Sequence, residues 1–296
     1  MPWLARLDRW ARGTIPPFRK RLVPHWVNLR TYHPLVGSIG LEWDTVKPVC
    51  EELAARASDL IRNAPTANAQ VPGLDWTVGE VAAHLVSLTQ RYEPFVQNQS
   101  RPSFESMPAL NAEELAPLTV RTLGELADDL ERGTEALLAL CPSGAAPAQF
   151  FDMESDCASA IALHVEELLV HGVDIGRATG AAWPVSRRDA LVALAGAFQV
   201  LPKFVDPDAT RERRVVFEVR LRGGPTIGVT FDDGAATVSE GSVALADCRI
   251  SADPVAFLLV AMGRSSQWRA LAAGKVLAFG RKPWLGLKFM DYLIAG

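Results

Sequence analysis

The chain has 296 residues, 49% of them hydrophobic and 22% charged, with a formal net charge of −4. That composition fits a soluble globular protein, excludes collagen-like, disordered and disulfide-built classes, and at about 150 residues per domain implies two domains and an extension. The negative balance argues against a nucleic-acid partner, and no stretch reaches the roughly 18 uninterrupted apolar residues of a membrane span.

The four cysteines (Cys50, Cys141, Cys157 and Cys248) are scattered, with no Cys-x-x-Cys pair. This excludes a zinc ribbon or dithiol redox motif and fits a reducing cytoplasm. Only six of the 30 basic residues are lysine (Lys20, Lys47, Lys203, Lys275, Lys282 and Lys288), a bias that reads as a GC-rich genome.

Residues 1–42 form a basic arm. Its first 40 residues carry seven arginines and lysines against Asp8 alone, a local charge of +6, interleaved with Trp3, Trp10 and Trp26. Such a mixture suits an anionic membrane surface, with indoles at the headgroups and arginines on phosphate. The other reading is an arm that wraps the protein's own body through its tryptophans. Arg and Asp interrupt every candidate apolar core for a cleavable signal.

Residues 43–182 read as a four-helix bundle. Val46, Val49, Leu53, Leu60 and Ile61 stripe a helix over 44–64. Asp75 or Thr77 caps the second helix, with Glu80 completing a capping box after Thr77, and Val78, Val81, Leu85, Leu88 and Tyr92 form its apolar face. A third helix starts near Thr122, and a fourth spans about 155–178 before Gly180.

Residues 183–296 change texture and read as a small α+β domain with an antiparallel sheet. A helix over 186–202 precedes the period-two run Val215, Phe217, Val219 and Leu221. Turns at Gly223-Gly224-Pro225 and Asp232-Asp233-Gly234 bound a second strand. Two more strands follow near Val238 and Ile250. Asp253-Pro254 starts a helix that Gly263 ends, and the tail holds a strand over 274–280 and a helix over 283–294.

The chemistry concentrates in the fourth helix. At 100° per residue, with His164 at zero, Glu167 falls at about −60°, His171 at about −20° and Asp174 at about −80°, beside the apolar stripe of Ile161, Leu168 and Ile175. Titratable groups at a core's edge need a reason, because burying them unpaired costs several kcal/mol. Glu167 and His171, four residues apart, can reach one ion about 2 Å from each. His84, on the inward face of the second helix, is the candidate third ligand. Three protein ligands leave a position open for water or substrate. Asp174 is placed to hold a ligand imidazole by hydrogen bond, and His164 to act as a further ligand, a base or a supporting group. Against this stands the commonness of Glu-x-x-x-His on helices and of hydrogen-bonded core histidines.

These residues carry a resemblance. Asp75-Trp76-Thr77-Val78-Gly79-Glu80-Val81-Ala82-Ala83-His84-Leu85 resembles the opening motif of the mycothiol-dependent maleylpyruvate isomerase family, whose bundle is DinB-like, and Glu167 to Asp174 resembles its second metal motif. The resemblance covers roughly residues 43–180 and implies that His84, Glu167 and His171 hold a divalent ion, zinc above all. Ile250-Ser251-Ala252-Asp253-Pro254 and Ala273-Gly274-Lys275-Val276-Leu277-Ala278-Phe279-Gly280 resemble a sterol carrier protein type-two domain, which also closes the known isomerases. The chain departs from the pattern where members usually carry Arg at position 164 and often Asp at position 281, and the basic arm is foreign to it.

The expected function is therefore a zinc-dependent enzyme that activates a low-molecular-weight thiol for addition to a small electrophile, as an isomerase or thiol transferase. The GC-rich bias suits an actinobacterium, where mycothiol is the expected thiol. Arg91 and Arg281 are the candidates for gripping an anionic substrate or the thiol's polar groups. The expected location is the cytoplasm, peripheral at a membrane where the arm engages one. The alternative is a lipid- or sterol-binding module, with Phe257, Leu258, Leu259, Trp284, Leu285, Leu287, Phe289 and Met290 lining a tunnel.

Overall fold

The computed structural model describes residues 39–99, 111, 113–151 and 153–294. All of the arm before residue 39, and with it the expected membrane contact, lies outside the described residues.

The bundle helices start where their side chains can satisfy the free N–H groups of a first turn. α1 is Trp43–Arg62. α2 is Val78–Val96, and Thr77 rather than Asp75 is its cap: the Thr77 hydroxyl accepts from the Glu80 N–H while Glu80 accepts from the Thr77 N–H. α3, Leu123–Ala139, repeats the device with Thr122 and Glu125. Each such cap stabilises its helix by about 1 kcal/mol. A hairpin not foreseen from the sequence follows, β1 (Pro147–Phe150) and β2 (Met153–Asp156), paired antiparallel. Its four-residue strands are too short for a periodic signal.

α4, Cys157–Thr179, begins on the Asp156 cap and ends at Gly180, whose φ of 74° is left-handed. It packs against both α1 and α2. α5, Arg187–Val200, is capped by Ser186 and lies along α4. The approach is close: a Cβ on Gly196 would meet the Ala162 and Leu163 backbone at 2.8 Å.

After a one-turn helix at Pro207–Thr210 come β3 (Arg214–Leu221), β4 (Thr226–Asp232), β5 (Ala235–Glu240) and β6 (Cys248–Ala252). α6 (Pro254–Ala261) and α7 (Gln267–Ala272) follow, then β7 (Val276–Phe279). The sheet order is β5-β4-β3-β6-β7. Three of its four pairings are antiparallel, as expected; β3 and β6 run parallel, because the β5–β6 connection returns the chain to the opposite side of β3.

Pro283–Tyr292 forms 3₁₀ turns where an α-helix was expected. The segment lies flat on β7: a Cβ on Gly286 would stand 2.5 Å from that of Ala278. One hydrophobic cluster runs from Val46 through the bundle to Phe289 and Tyr292, with α5 and α6 packed where the two halves meet. Among the described residues no helix is long and apolar enough to cross a membrane.

Candidate metal centre

α2 contributes His84 and one turn of α4 contributes Glu167 and His171. Glu167 Oε2 lies 3.7 Å from His84 Nε2 and 3.3 Å from His171 Nε2, and the three donor atoms fall within 4.8 Å of one another. Atoms that share one tetrahedral ion at about 2 Å stand about 3–3.5 Å apart, so small side-chain adjustments suffice for one divalent ion. Both histidines are buried and Glu167 is partly buried. The donor set of two imidazoles and one carboxylate suits zinc and leaves a position facing the adjoining cavity.

The electrostatics of His84 and Glu167 match that use, whereas His171 must give up a proton to a metal. Burial pushes His84 down to about 4, leaving it neutral and ready to ligate. Burial acts the same way on His171, but Asp174 and Glu167 outweigh it and raise it to about 9. Burial resists ionisation of Glu167, yet the two imidazoles hold it well below the usual carboxylate range. The Trp76 ring lies 5.0 Å from that of His84 and 6.3 Å from that of His171.

Behind the donors His171 Nδ1–H donates to Asp174 Oδ2 at 3.0 Å, which leaves Nε2 for a metal. Asp174 is itself held by Arg264, whose Nε and Nη2 donate to its two oxygens at 2.9 and 2.5 Å. Burial would raise the Asp174 carboxyl, but His171 and Arg264 together bring it to about 2.

The donors close one end of a cavity of about 280 Å³. Trp76, Arg91, Tyr92, Asn111 and Glu166 line the same end, and burial together with Glu167 pushes Glu166 up to about 8. Leu194, Phe198, Leu201, Phe257, Phe289 and Met290 line the other.

The structure thus brings together His84, Glu167, His171, Asp174 and Arg91. Arg91 is already engaged, with Nε and Nη2 on Glu114 Oε2 at 2.9 and 2.5 Å and Nη2 also on Asn111. His164 is not brought to the donors. It shares their angular sector, but seven residues separate it from His171, about 10 Å along the axis. Its Nε2 meets Thr134 Oγ1 on α3 at 3.2 Å, and burial lowers it to about 4. Arg281 is exposed in the loop after β7 and does not line the cavity.

Glu166 and Arg264 are the site residues the sequence reading missed. Glu166 sits beside a proposed ligand and could have been found by asking which neighbour turns to the same cavity. Arg264, 90 residues from Asp174, has no periodic relation to α4, and its only signal is a lone charge after an apolar helix.

Residues 46–176 match the family model described as "Mycothiol maleylpyruvate isomerase N-terminal domain". Among solved structures, the chain is similar to the mycothiol-dependent maleylpyruvate isomerase, at 14% identity and a TM-score of 0.51 over 82% of this chain and 97% of that one. A histidine-to-alanine variant of that enzyme matches over the same shares, at 13% identity and 0.51. An inverting sec-alkylsulfatase from Pseudomonas sp. aligns at 18% identity and a TM-score of 0.31, over 47% of this chain, which spans about a quarter (24%) of its length. No curated protein matches the chain in sequence. At these identities the structural likeness to the isomerase is one of fold. The family match covers the helical part of the chain, residues 46–176.

Proposed function

We propose that the protein is a metal-dependent enzyme that brings a low-molecular-weight thiol, mycothiol by family, to a small electrophile, and either isomerises it by addition and elimination or releases the conjugate. The observation that carries this reading is the convergence of His84, Glu167 and His171 at the polar end of a cavity whose described lining holds no Cys, Ser, Thr or Lys. With none of these nucleophiles on its own walls, the site suits one brought in with the substrate.

His84, Glu167 and His171 would hold the ion, with zinc the metal proposed. A bound divalent ion lowers the pKa of a coordinated thiol and so supplies a thiolate at neutral pH. Asp174 fixes the His171 ring and tautomer, and Arg264 fixes Asp174. Trp76 walls the donors on one side, and the apolar far end of the cavity excludes water. Four buried, unpaired cysteines fit the reducing cytoplasm proposed as its location.

Elemental analysis of the purified protein beside His84→Ala and His171→Ala tests the reading. The expected result is about one zinc per chain in the wild type and loss in both variants, with zinc-dependent consumption of mycothiol in the presence of electrophiles. A wild type that takes up no metal after reconstitution overturns it.

A second reading has its own support. A second cavity, of about 290 Å³, lies among α6, α7, β7 and the C-terminal 3₁₀ segment, where a lipid- or sterol-carrying domain of the kind this half resembles would hold its ligand. On that reading the bundle metal is structural, and the arm over residues 1–40 supplies membrane contact. Unchanged liposome association after deleting residues 1–40 removes the arm's part in it.

A further inference from the structure

The metal-facing cavity is charged at one end and hydrocarbon at the other, and its charges are already spent. Arg91 is held by Glu114 and Asn111, and Arg264 by Asp174. Glu166 and Glu167 both face the space. Apart from the ion itself, a small dicarboxylate would meet acidic groups and, among the described lining residues, no uncommitted cation, so the carboxylate not on the ion would be desolvated without compensation. The far wall, by contrast, offers Phe198, Phe257 and Phe289 with Leu194, Leu201 and Met290. Phe257, Ala261, Phe289 and Met290 also line the second cavity, so hydrocarbon surroundings continue behind that wall.

Resting on the proposed thiol chemistry, we infer that the electrophile handled at the metal centre is an uncharged, conjugated carbonyl compound with a long or bulky apolar body, rather than a short dicarboxylate. Its alkene lies at the metal end and its body lies between α5, α6 and the C-terminal 3₁₀ segment. In the addition step the thiol sulfur forms a bond to the β-carbon, the alkene π pair moves to the α-carbon, and that carbon takes the proton the thiol gives up.

The test uses zinc-loaded protein, mycothiol and a series of 2-alkenals from four to ten carbons, corrected for uncatalysed addition. The expected result is a kcat/KM that rises about three- to fourfold per methylene until the cavity is full. In Ala197→Phe, which projects a ring into the same space, the rise should flatten. A kcat/KM that is flat or falls with length, or that rises equally in the variant, overturns the inference while the thiol reading stands. Binding of the uncharged apolar dye Nile red separates the two ideas. If no alkenal consumes thiol but Nile red binds the wild type and not Ala197→Phe, the apolar site stands and the thiol chemistry fails. No Nile red binding overturns the apolar site outright.

A second observation, on the surface, stands apart from that chemistry. Between Pro254 and Met290 the chain carries six arginines and lysines and no Asp or Glu. Arg269, Lys275, Arg281 and Lys288 are exposed. Trp268, Leu277, Phe279, Trp284 and Leu287 are exposed among them, on α7, β7 and the 3₁₀ segment, three of the elements that border the second cavity. Exposed indoles set among cations suit lipid headgroups. The arm before residue 40, itself at +6, has the wrong sign to cover this face.

The geometry points to an anionic phospholipid bilayer as the partner of the face formed by α7, β7 and the 3₁₀ segment. The full chain should sediment with vesicles of equal parts phosphatidylglycerol and phosphatidylcholine and stay free with phosphatidylcholine alone. Lys288→Ser should weaken that binding about fivefold, and Trp268→Ser with Trp284→Ser should abolish it. Binding that ignores the tryptophan variants, or no binding at all, overturns the assignment. So does a dimer in solution that the same variants dissociate, which would make the face a contact between two copies.

Discussion

Arg264 grips both carboxylate oxygens of Asp174, and the oxygen that takes its Nη2 also takes the Nδ1–H of His171. A residue just after α6 therefore orients a proposed metal ligand on α4. Replacing Arg264 with Gln removes the fork and leaves a buried carboxylate with only His171. The expected result is a metal affinity about 10- to 100-fold lower and a stability loss of about 3–5 kcal/mol. Competition against a fluorescent zinc chelator and urea unfolding read the two effects separately, and an unchanged zinc affinity would show that His171 is oriented without the fork.

His164 is expected to matter for folding and not for metal. In His164→Ala the Thr134 hydroxyl loses its partner inside the core and a cavity opens beside Tyr92, whose ring lies 5.8 Å from the imidazole. Stability should fall by about 1–3 kcal/mol while zinc per chain stays at the wild-type value. A variant that loses its zinc would make His164 a fourth ligand.

The α4–α5 contact makes a third prediction. Gly196→Ala would place a methyl 2.8 Å from the Ala162 and Leu163 backbone. That collision pushes a methyl against main chain and should cost about 1–3 kcal/mol, more than offsetting the roughly 1 kcal/mol gained from helix propensity alone. A denaturant midpoint equal to or above wild type would mean that α5 can shift outward without loss.

Glu218 supplies a pH-dependent part of the stability. It is buried on β3, and burial resists its ionisation. Hydrogen bonds from Arg220 and the Val243 N–H, with the nearby charges of Arg220 and Arg249, outweigh that and bring its pKa below the ordinary carboxylate value. A carboxyl depressed in the folded state stabilises the fold above its unfolded pKa of about 4.3, and the benefit disappears as pH falls through the folded value. Glu218→Gln should therefore cost about 1–3 kcal/mol at pH 7, and the difference from wild type should shrink toward pH 3. A constant difference across that range would assign the loss to shape alone.

Much of the bundle is legible because its signals are local. Thr77 and Glu80, and Thr122 and Glu125, mark helix starts through hydrogen bonds within three residues, and Gly180 marks a helix end through its left-handed backbone. Glu167 and His171 share one turn, so helical spacing alone pairs them, and His84 is added as the inward histidine of α2. Angle around a helix is not distance along it, however, and that distinction separates His164 from the candidate ligands whose sector it shares. The Arg264–Asp174 fork and the parallel β3–β6 pairing arise from chain segments that meet only after folding, where no spacing rule applies. Arg281 stands in a stretch with a clear local pattern, and its side chain nonetheless faces solvent.

The burial of all four cysteines has a consequence for life beside a thiol pool. A protein that handles a small thiol also meets that thiol's disulfide, and exchange begins with a thiolate at the surface. Burial holds Cys50 well above the usual thiol range and raises Cys248, and no cysteine lines the metal-facing cavity. Oxidised cosubstrate finds no exposed sulfur among the described residues to cap. On the proposed thiol chemistry, oxidative stress would slow the protein because its reduced cosubstrate runs short, and activity would recover as soon as that pool is restored, with no repair of the chain itself.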